Sequence, residues 1–354
     1  MASIRTLPSG KINVRWRTLN GKWDGRTFGP DEKRKAKAFK AEVETELNAG
    51  YDVNLKRRRL TFQQWADQWK QGQRVNRQGT VSSVESDLKR LNKTFGDRPL
   101  RAITVSEIKS WVAAMTTEGL KQSTVHAKYR RMAQIMGAAV EEDLVRKSPC
   151  VKSNAPSAGK RDQQIPTTEQ VWDLYGKVPE GLKAGILLGA FVGLRSGEAV
   201  ALRVEDVDFM GGEVQPVLQH KDQELKTESS KWPVPIPQEL ALELSKYAHR
   251  QSSDTLVQSA LGQKATANTL QVGVKAAADE LKLYKAFRFH DLRHFYASLL
   301  ISEGIDVVTV SKCMRHAKPA TTLRVYAHWF PDVDEAPRAA VKNLFAARGA
   351  ANVA

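Results

Sequence analysis

The chemistry in this sequence gathers in two short runs. The first, Phe289-His290-Asp291-Leu292-Arg293-His294, sets a His and an Arg at i and i+3. On a helix that spacing puts both on one face, within reach of one small target. A guanidinium offers a planar fork of donors that matches a phosphate, and an imidazole exchanges a proton near neutral pH. The second run holds Met314-Arg315-His316-Ala317 and then Thr321-Thr322-Leu323-Arg324-Val325-Tyr326, with His316 ten residues before Tyr326. A phenol with a pKa of about 10 is neutral at pH 7, so as a nucleophile it needs a proton acceptor or local positive charge.

Two further runs extend the set. Gly193-Leu194-Arg195-Ser196-Gly197-Glu198 lies upstream, and Leu225-Lys226-Thr227 precedes Ser230-Lys231-Trp232-Pro233-Val234-Pro235-Ile236-Pro237. The order Arg, Lys, His-x-x-Arg, His, Tyr over residues 195–326 resembles the tyrosine recombinases, specifically the phage-type integrases. One departure is visible: Cys313-Met314-Arg315-His316 stands where that family usually has Leu-Gly before the His.

The resemblance implies an enzyme that cleaves and rejoins DNA at specific sites through a 3′-phosphotyrosine intermediate. Its catalytic set here would be Arg195, Lys226, His290, Arg293, His316 and the nucleophile Tyr326. Breaking a phosphodiester builds negative charge on its oxygens, and fixed cationic donors are the most effective answer to it. Arg195 and Arg293 suit that task because a guanidinium stays charged and binds bidentately. His316 adds a donor, His290 fits the acceptor of the tyrosine proton, and Lys226 fits the acid that protonates the leaving 5′ oxygen. Lys221 or Lys231 could take the lysine role instead. Glu198 and Asp291 read as orienting residues, Arg195 could equally pair with Glu198, and His294 reads as lying behind the catalytic set. No P-loop or carboxylate cluster is present, and neither cofactor nor metal is expected.

Composition points the same way. The chain has 354 residues, 41% of them hydrophobic, and a net charge of +16. Residues 1–59 carry +8, residues 60–150 carry +6 and residues 151–354 only +2. Excess basic charge outside the catalytic runs favours nucleic acid. No run of roughly 18 apolar residues suggests a membrane span. Met1-Ala2-Ser3-Ile4-Arg5 has no apolar signal core, and a bacterial cytoplasmic or nucleoid location is expected. Cys150 and Cys313 are read as two reduced thiols.

The elements that must position these residues fall into three expected domains: 1–55, 56–150 and 164–354. The expected fold is multidomain, mainly α with small β-sheets. Lys11 to Arg17 alternates, with Ile12, Val14 and Trp16 inward and Arg15 and Arg17 outward. Asn20-Gly21 reads as a two-residue hairpin turn, and a helix follows from about Asp31. This basic three-stranded sheet backed by a helix resembles the arm-site-binding domain of large phage integrases. Lys56-Arg57-Arg58-Arg59 reads as a basic linker.

Four helices are expected over 60–148, opened by Thr61, Thr80, Thr104 or Ser106, and Ser123. The block resembles the helical, SAM-like core-binding domain, with Lys128, Arg130 and Arg131 on an outer face. Ser148 to Ile165 reads as a linker. The rest reads as a mixed α+β catalytic domain: a helix capped by Thr167, a buried helix over 182–192, strands at 213–218 and 232–236 around a polar loop, then helices. The tail beyond Tyr326 ends in a short apolar-striped helix over 336–347.

The resemblance further implies double-stranded DNA with core-type and arm-type sites as partner. It implies a homotetramer on that DNA, with a host DNA-bending protein and an excisionase as further candidates. The integrase of a conjugative transposon, or a catalytically inactive regulator on the same scaffold, are the alternative readings.

Overall fold

The computed structural model describes residues 2–18, 21–48, 60–72, 78–159, 164–225, 227–248 and 253–329. The chain divides into two compact units, Met1–Arg161 and Asp162–Ala354. The fold is multidomain and mainly helical, with small antiparallel sheets.

The first unit opens with an antiparallel sheet of β1 (Ser3–Thr6), β2 (Ile12–Arg17) and β3 (Trp23–Phe28). Register pairs Ile4 with Val14 and Trp16 with Asp24. Alternation decides which face is buried: Val14 and Trp16 are fully buried, and Trp16 meets Phe39 of α1 (Lys33–Asn48) edge-on at 5.7 Å. The β2–β3 connection is one residue longer than the expected turn. The Gly21 N–H donates to the Thr18 carbonyl and the Thr18 N–H to the Lys22 carbonyl. Gly21 holds φ +77°, the left-handed position such a three-residue turn reserves for glycine.

Four helices follow: α2 (Phe62–Gly72), α3 (Gln78–Phe95), α4 (Val105–Thr117) and α5 (Gln122–Glu141). Their inward stripes share one core that includes Phe62, Leu91, Ile108, Met132 and Ile135. The expected capping boxes form at Thr61–Gln64 and Thr104–Glu107. Two expected starts shift. α3 begins before Thr80, and α5 begins after Lys121 with no side-chain cap, so Ser123 lies inside it.

The stretch read as a linker is partly pinned. Tyr129 of α5 reaches the Val151 carbonyl at 2.8 Å and Asn154 Oδ1 at 2.6 Å, and His126 Nδ1 lies 2.8 Å from the Pro156 carbonyl. Pro and Ser composition could not disclose those anchors, because they come from α5.

The second unit begins with α6 (Thr168–Lys177), capped by Thr167 and Gln170, and α7 (Lys183–Phe191), apolar after its first residue. The short α8 (Ser196–Ala199) leads to a sheet of β4 (Val207–Asp208), β5 (Glu213–Val214) and β8 (Val234–Pro235). The polar loop between β5 and β8 contains its own two-stranded ladder, β6 (Leu218–Gln219) with β7 (Gln223–Glu224). Helices α9 (Gln238–Ser245), α10 (Ala267–Glu280), α11 (Phe289–Ser302), α12 (Val307–Cys313) and α13 (Pro319–Tyr326) complete the unit. Lys56 to Arg59 and the tail from 330 onward, with the striped helix expected over 336–347, lie outside the described residues. So does Asn20. No described helix is long and apolar enough to cross a membrane.

Candidate active site

Three local devices bring the distant runs together. Gly193 stops α7 at φ +68° and hands the chain to Arg195. A Cβ at Gly193 would sit 2.5 Å from the Tyr296 ring, so only glycine fits between α7 and α11. Asp291 caps α11 by accepting from the Arg288 N–H at 2.8 Å, which fixes the helix start where His290 and Arg293 stand. α13 then places Tyr326 at its last turn, 2% exposed.

Arg293 is fully buried and donates to the Gly193 and Met314 backbone carbonyls. Each terminal nitrogen keeps a second N–H. Burial first, then Arg195, push it down to about 9, which leaves it cationic at pH 7. Arg195 is more open, with 42% of its side chain exposed. Its Nη1 donates to Glu198 Oε1 at 2.9 Å and its N–H to Glu198 Oε2 at 2.9 Å. The pairing therefore forms, and it orients the arginine without occupying the whole fork. Burial alone would raise Glu198, but Arg315, Arg195 and Arg293 outweigh it and hold it at about 2.

His316 Nδ1 lies 2.8 Å from Thr322 Oγ1. Burial, then Arg293, Arg195, His290 and Arg315, push it down to about 3. It is neutral at pH 7, and the tautomer in which Nδ1 accepts from the Thr322 hydroxyl is the one that turns an Nε2–H donor outward. Arg195, Glu198, Ser230, Arg315 and His316 line one cleft of about 310 Å³.

Tyr326 Oη lies 2.7 Å from Nδ1 of His294, itself 5% exposed. Its ring rests against Trp329 at 5.2 Å. Burial pushes the phenol up to about 12, against the opposing pull of Arg293 and Arg195. His290 is exposed one turn earlier on α11, with its ring edge-on to His294 at 4.7 Å.

Two residues outside the expected catalytic set thus stand inside the site. His294 touches the phenol directly, and its i, i+4 spacing from His290 was the available signal. Arg315 is buried with Nη2 at 2.7 Å from Glu198 Oε2, which nothing in its spacing announced. Lys226 lies outside the described residues. Of the two other lysines, Lys231 pairs with Glu228 at 3.2 Å and Lys221 is exposed. Among the described residues no three His, Cys, Asp or Glu side chains gather as metal ligands.

The basic residues of the first unit divide. Arg15 stacks over the exposed Trp23 ring at 5.0 Å, and Arg17 Nε donates to the Gly21 carbonyl at 2.9 Å. Lys128 and Arg131 do not form a free solvated face. Both are clamped on buried Asp87, at 2.6 and 2.9 Å, whereas Arg130 is exposed.

Residues 168–332 match the model of the phage integrase family. The integrase of Mycobacterium phage D29 is 24% identical over 352 residues, covering 91% of each chain. Among solved structures, the Tn1549 transposon integrase in complex with a circular intermediate DNA superposes with a TM-score of 0.70 at 18% identity. That match covers 80% of this chain and 99% of the other. A lambda integrase dimer bound to a COC′ core site gives a TM-score of 0.62 at 18% identity, over 89% of this chain and 91% of the other.

Proposed function

From a chain that carries a phage integrase family domain over residues 168–332, we infer a tyrosine site-specific recombinase that integrates and excises a mobile genome. The supporting observation is convergence. Arg195 and Arg293, almost a hundred residues apart, both act electrostatically on His316 and on Tyr326. A cleft lined by guanidinium groups and a neutral histidine suits a phosphodiester, whose added negative charge appears during displacement.

In this reading Tyr326 Oη attacks the phosphorus and the bond to the 5′ oxygen breaks. The phenolic proton passes to His294, which already holds the phenol, while His290 packs on that imidazole. Arg195, Arg293 and the Nε2–H of His316 stabilise the phosphorane charge. Lys226 gives a proton to the departing 5′ oxygen. The 3′-phosphotyrosine keeps the bond energy, and a 5′-hydroxyl from the second DNA reverses the step.

We assign residues 1–55 to arm-type sites, 56–150 to the core site and 164–354 to catalysis. The sheet with Arg15 and Arg17 supports the first assignment, and a tether between two DNA-binding modules raises effective concentration. Within the helical block, Arg130 is the freest of the three basic residues for phosphate contact. Action as a tetramer on paired sites, in the bacterial cytoplasm and with a bending protein and an excisionase, belongs to the same reading. Covalent capture of the protein on attachment-site DNA tests it.

A further inference from the structure

Arg315 occupies a position where neither backbone nor solvation favours an arginine. α12 closes with two crossed bonds: the His316 N–H donates to the Ser311 carbonyl at 2.9 Å and the Arg315 N–H to the Lys312 carbonyl at 2.8 Å. That pattern turns the residue after the cap left-handed, where glycine is the ordinary occupant. Arg315 accepts φ +50° there and is 1% exposed. Burying a charge is costly unless it is paired. Two unfavourable choices at one position call for a compensating contact, and the guanidinium supplies two.

Nη2 donates to Glu198 Oε2 at 2.7 Å and Nη1 to the Ser230 backbone carbonyl at 3.2 Å. These partners belong to separate walls of the cleft. Glu198 stands on α8 and holds Arg195 through its other oxygen. Ser230 lies in the turn Glu228–Lys231 that leads from Thr227 into β8. We propose that Arg315 is a positioning residue that ties the Ser230 wall to the Arg195–Glu198 wall, so that the phosphate cleft is assembled before DNA arrives. It acts through Glu198 and Ser230 and does not touch the reacting atoms. Its relevance to DNA cleavage rests on the function proposed above.

Two substitutions separate bridging from charge. Arg315→Gly suits the left-handed backbone but reaches neither acceptor. Arg315→Lys keeps the charge but replaces the rigid two-nitrogen fork with one nitrogen on a flexible stem. The full chain and both variants are compared by amide hydrogen exchange without DNA, by DNA affinity, and by single-turnover adduct formation. The tie predicts exchange over residues 227–231 at least tenfold faster in both variants, with α7 and α11 unchanged. DNA affinity should stay within about threefold, and adduct formation should slow at least tenfold in both. Unchanged exchange over 227–231 would overturn the proposal. So would a lysine variant that restores the adduct rate, because charge alone would then suffice. If the unaltered protein forms no adduct, the proposed function fails, while the exchange result still decides the tie.

Discussion

Nδ1 of His294 and Oη of Tyr326 lie 2.7 Å apart in a buried pair. For the phenol to donate, Nδ1 must be the unprotonated nitrogen, the state in which it can take the proton. Burial raises the phenol to about 12, so its anion is scarcer at pH 7 than that of free tyrosine. As the proposed nucleophile, Tyr326 would therefore depend on this partner. His294→Ala should slow adduct formation by about 10²–10⁴-fold, the usual worth of a positioned base, with DNA affinity unchanged. The residual rate should climb with pH, because hydroxide must then remove the proton. His290→Ala should cost less. Rates from pH 6 to 10 check both, and a larger defect for His290→Ala than for His294→Ala would return the acceptor role to His290.

Acid stability should report on Glu198 and His316. His316 is held at about 3, below its ordinary 6.5. The unfolded chain takes that proton first, so stability starts to fall as pH drops below about 6.5. Glu198, held at about 2 against 4.5, adds a second loss between roughly pH 4.5 and 2. A shift of that size is worth at most about 3 kcal/mol. Glu198→Gln should lower Tm at pH 7, by removing the negative charge that balances buried Arg315, and should flatten the slope below pH 4.5. Thermal melts from pH 3 to 8 measure both effects.

The lysine assignment is testable through the leaving group. A sulfur in place of the bridging 5′ oxygen leaves as a thiolate and needs no proton. Lys226→Ala should slow adduct formation on ordinary DNA by at least about 10²-fold and lose most of that defect on sulfur-bridged DNA. Lys221→Ala and Lys231→Ala should do neither. If one of them shows the pattern instead, the acid is that residue.

The outward arginines of the N-terminal sheet should bind phosphates of arm-type DNA. Arg15→Ala with Arg17→Ala should weaken arm-site binding and leave core-site binding intact. Losing two phosphate contacts should reduce the slope of log affinity against log salt by about 2. Gel-shift titrations across salt concentrations give the slope, and an unchanged slope removes these residues from the interface.

Much of this site was legible because its parts are local. Thr167 must open a helix, the apolar run 182–192 must be a buried one, and His290 with Arg293 must share a face. The fold class followed from similar signals, such as the alternation at Ile12, Val14 and Trp16. What escaped depends on partners remote in sequence. Asp87 takes Lys128 and Arg131 out of solvent across more than forty residues. Tyr129 pins a stretch whose composition looks like a tether. Arg315 reaches Glu198 across 117 positions, and no periodicity connects them. His294 was visible as a type but not as a contact, because its partner comes from another helix.

The proposed chemistry rests on Tyr326 as the nucleophile. The direct measurement is peptide mapping of the covalent adduct formed on nicked attachment-site DNA, for the unaltered protein and for Tyr326→Phe. The expected result is a single modified peptide containing Tyr326 joined to a 3′-phosphate. The Phe variant should give no adduct and should still bind the same DNA. An adduct from the Phe variant, or DNA attached to Tyr175, Tyr284 or Tyr296, would contradict this assignment.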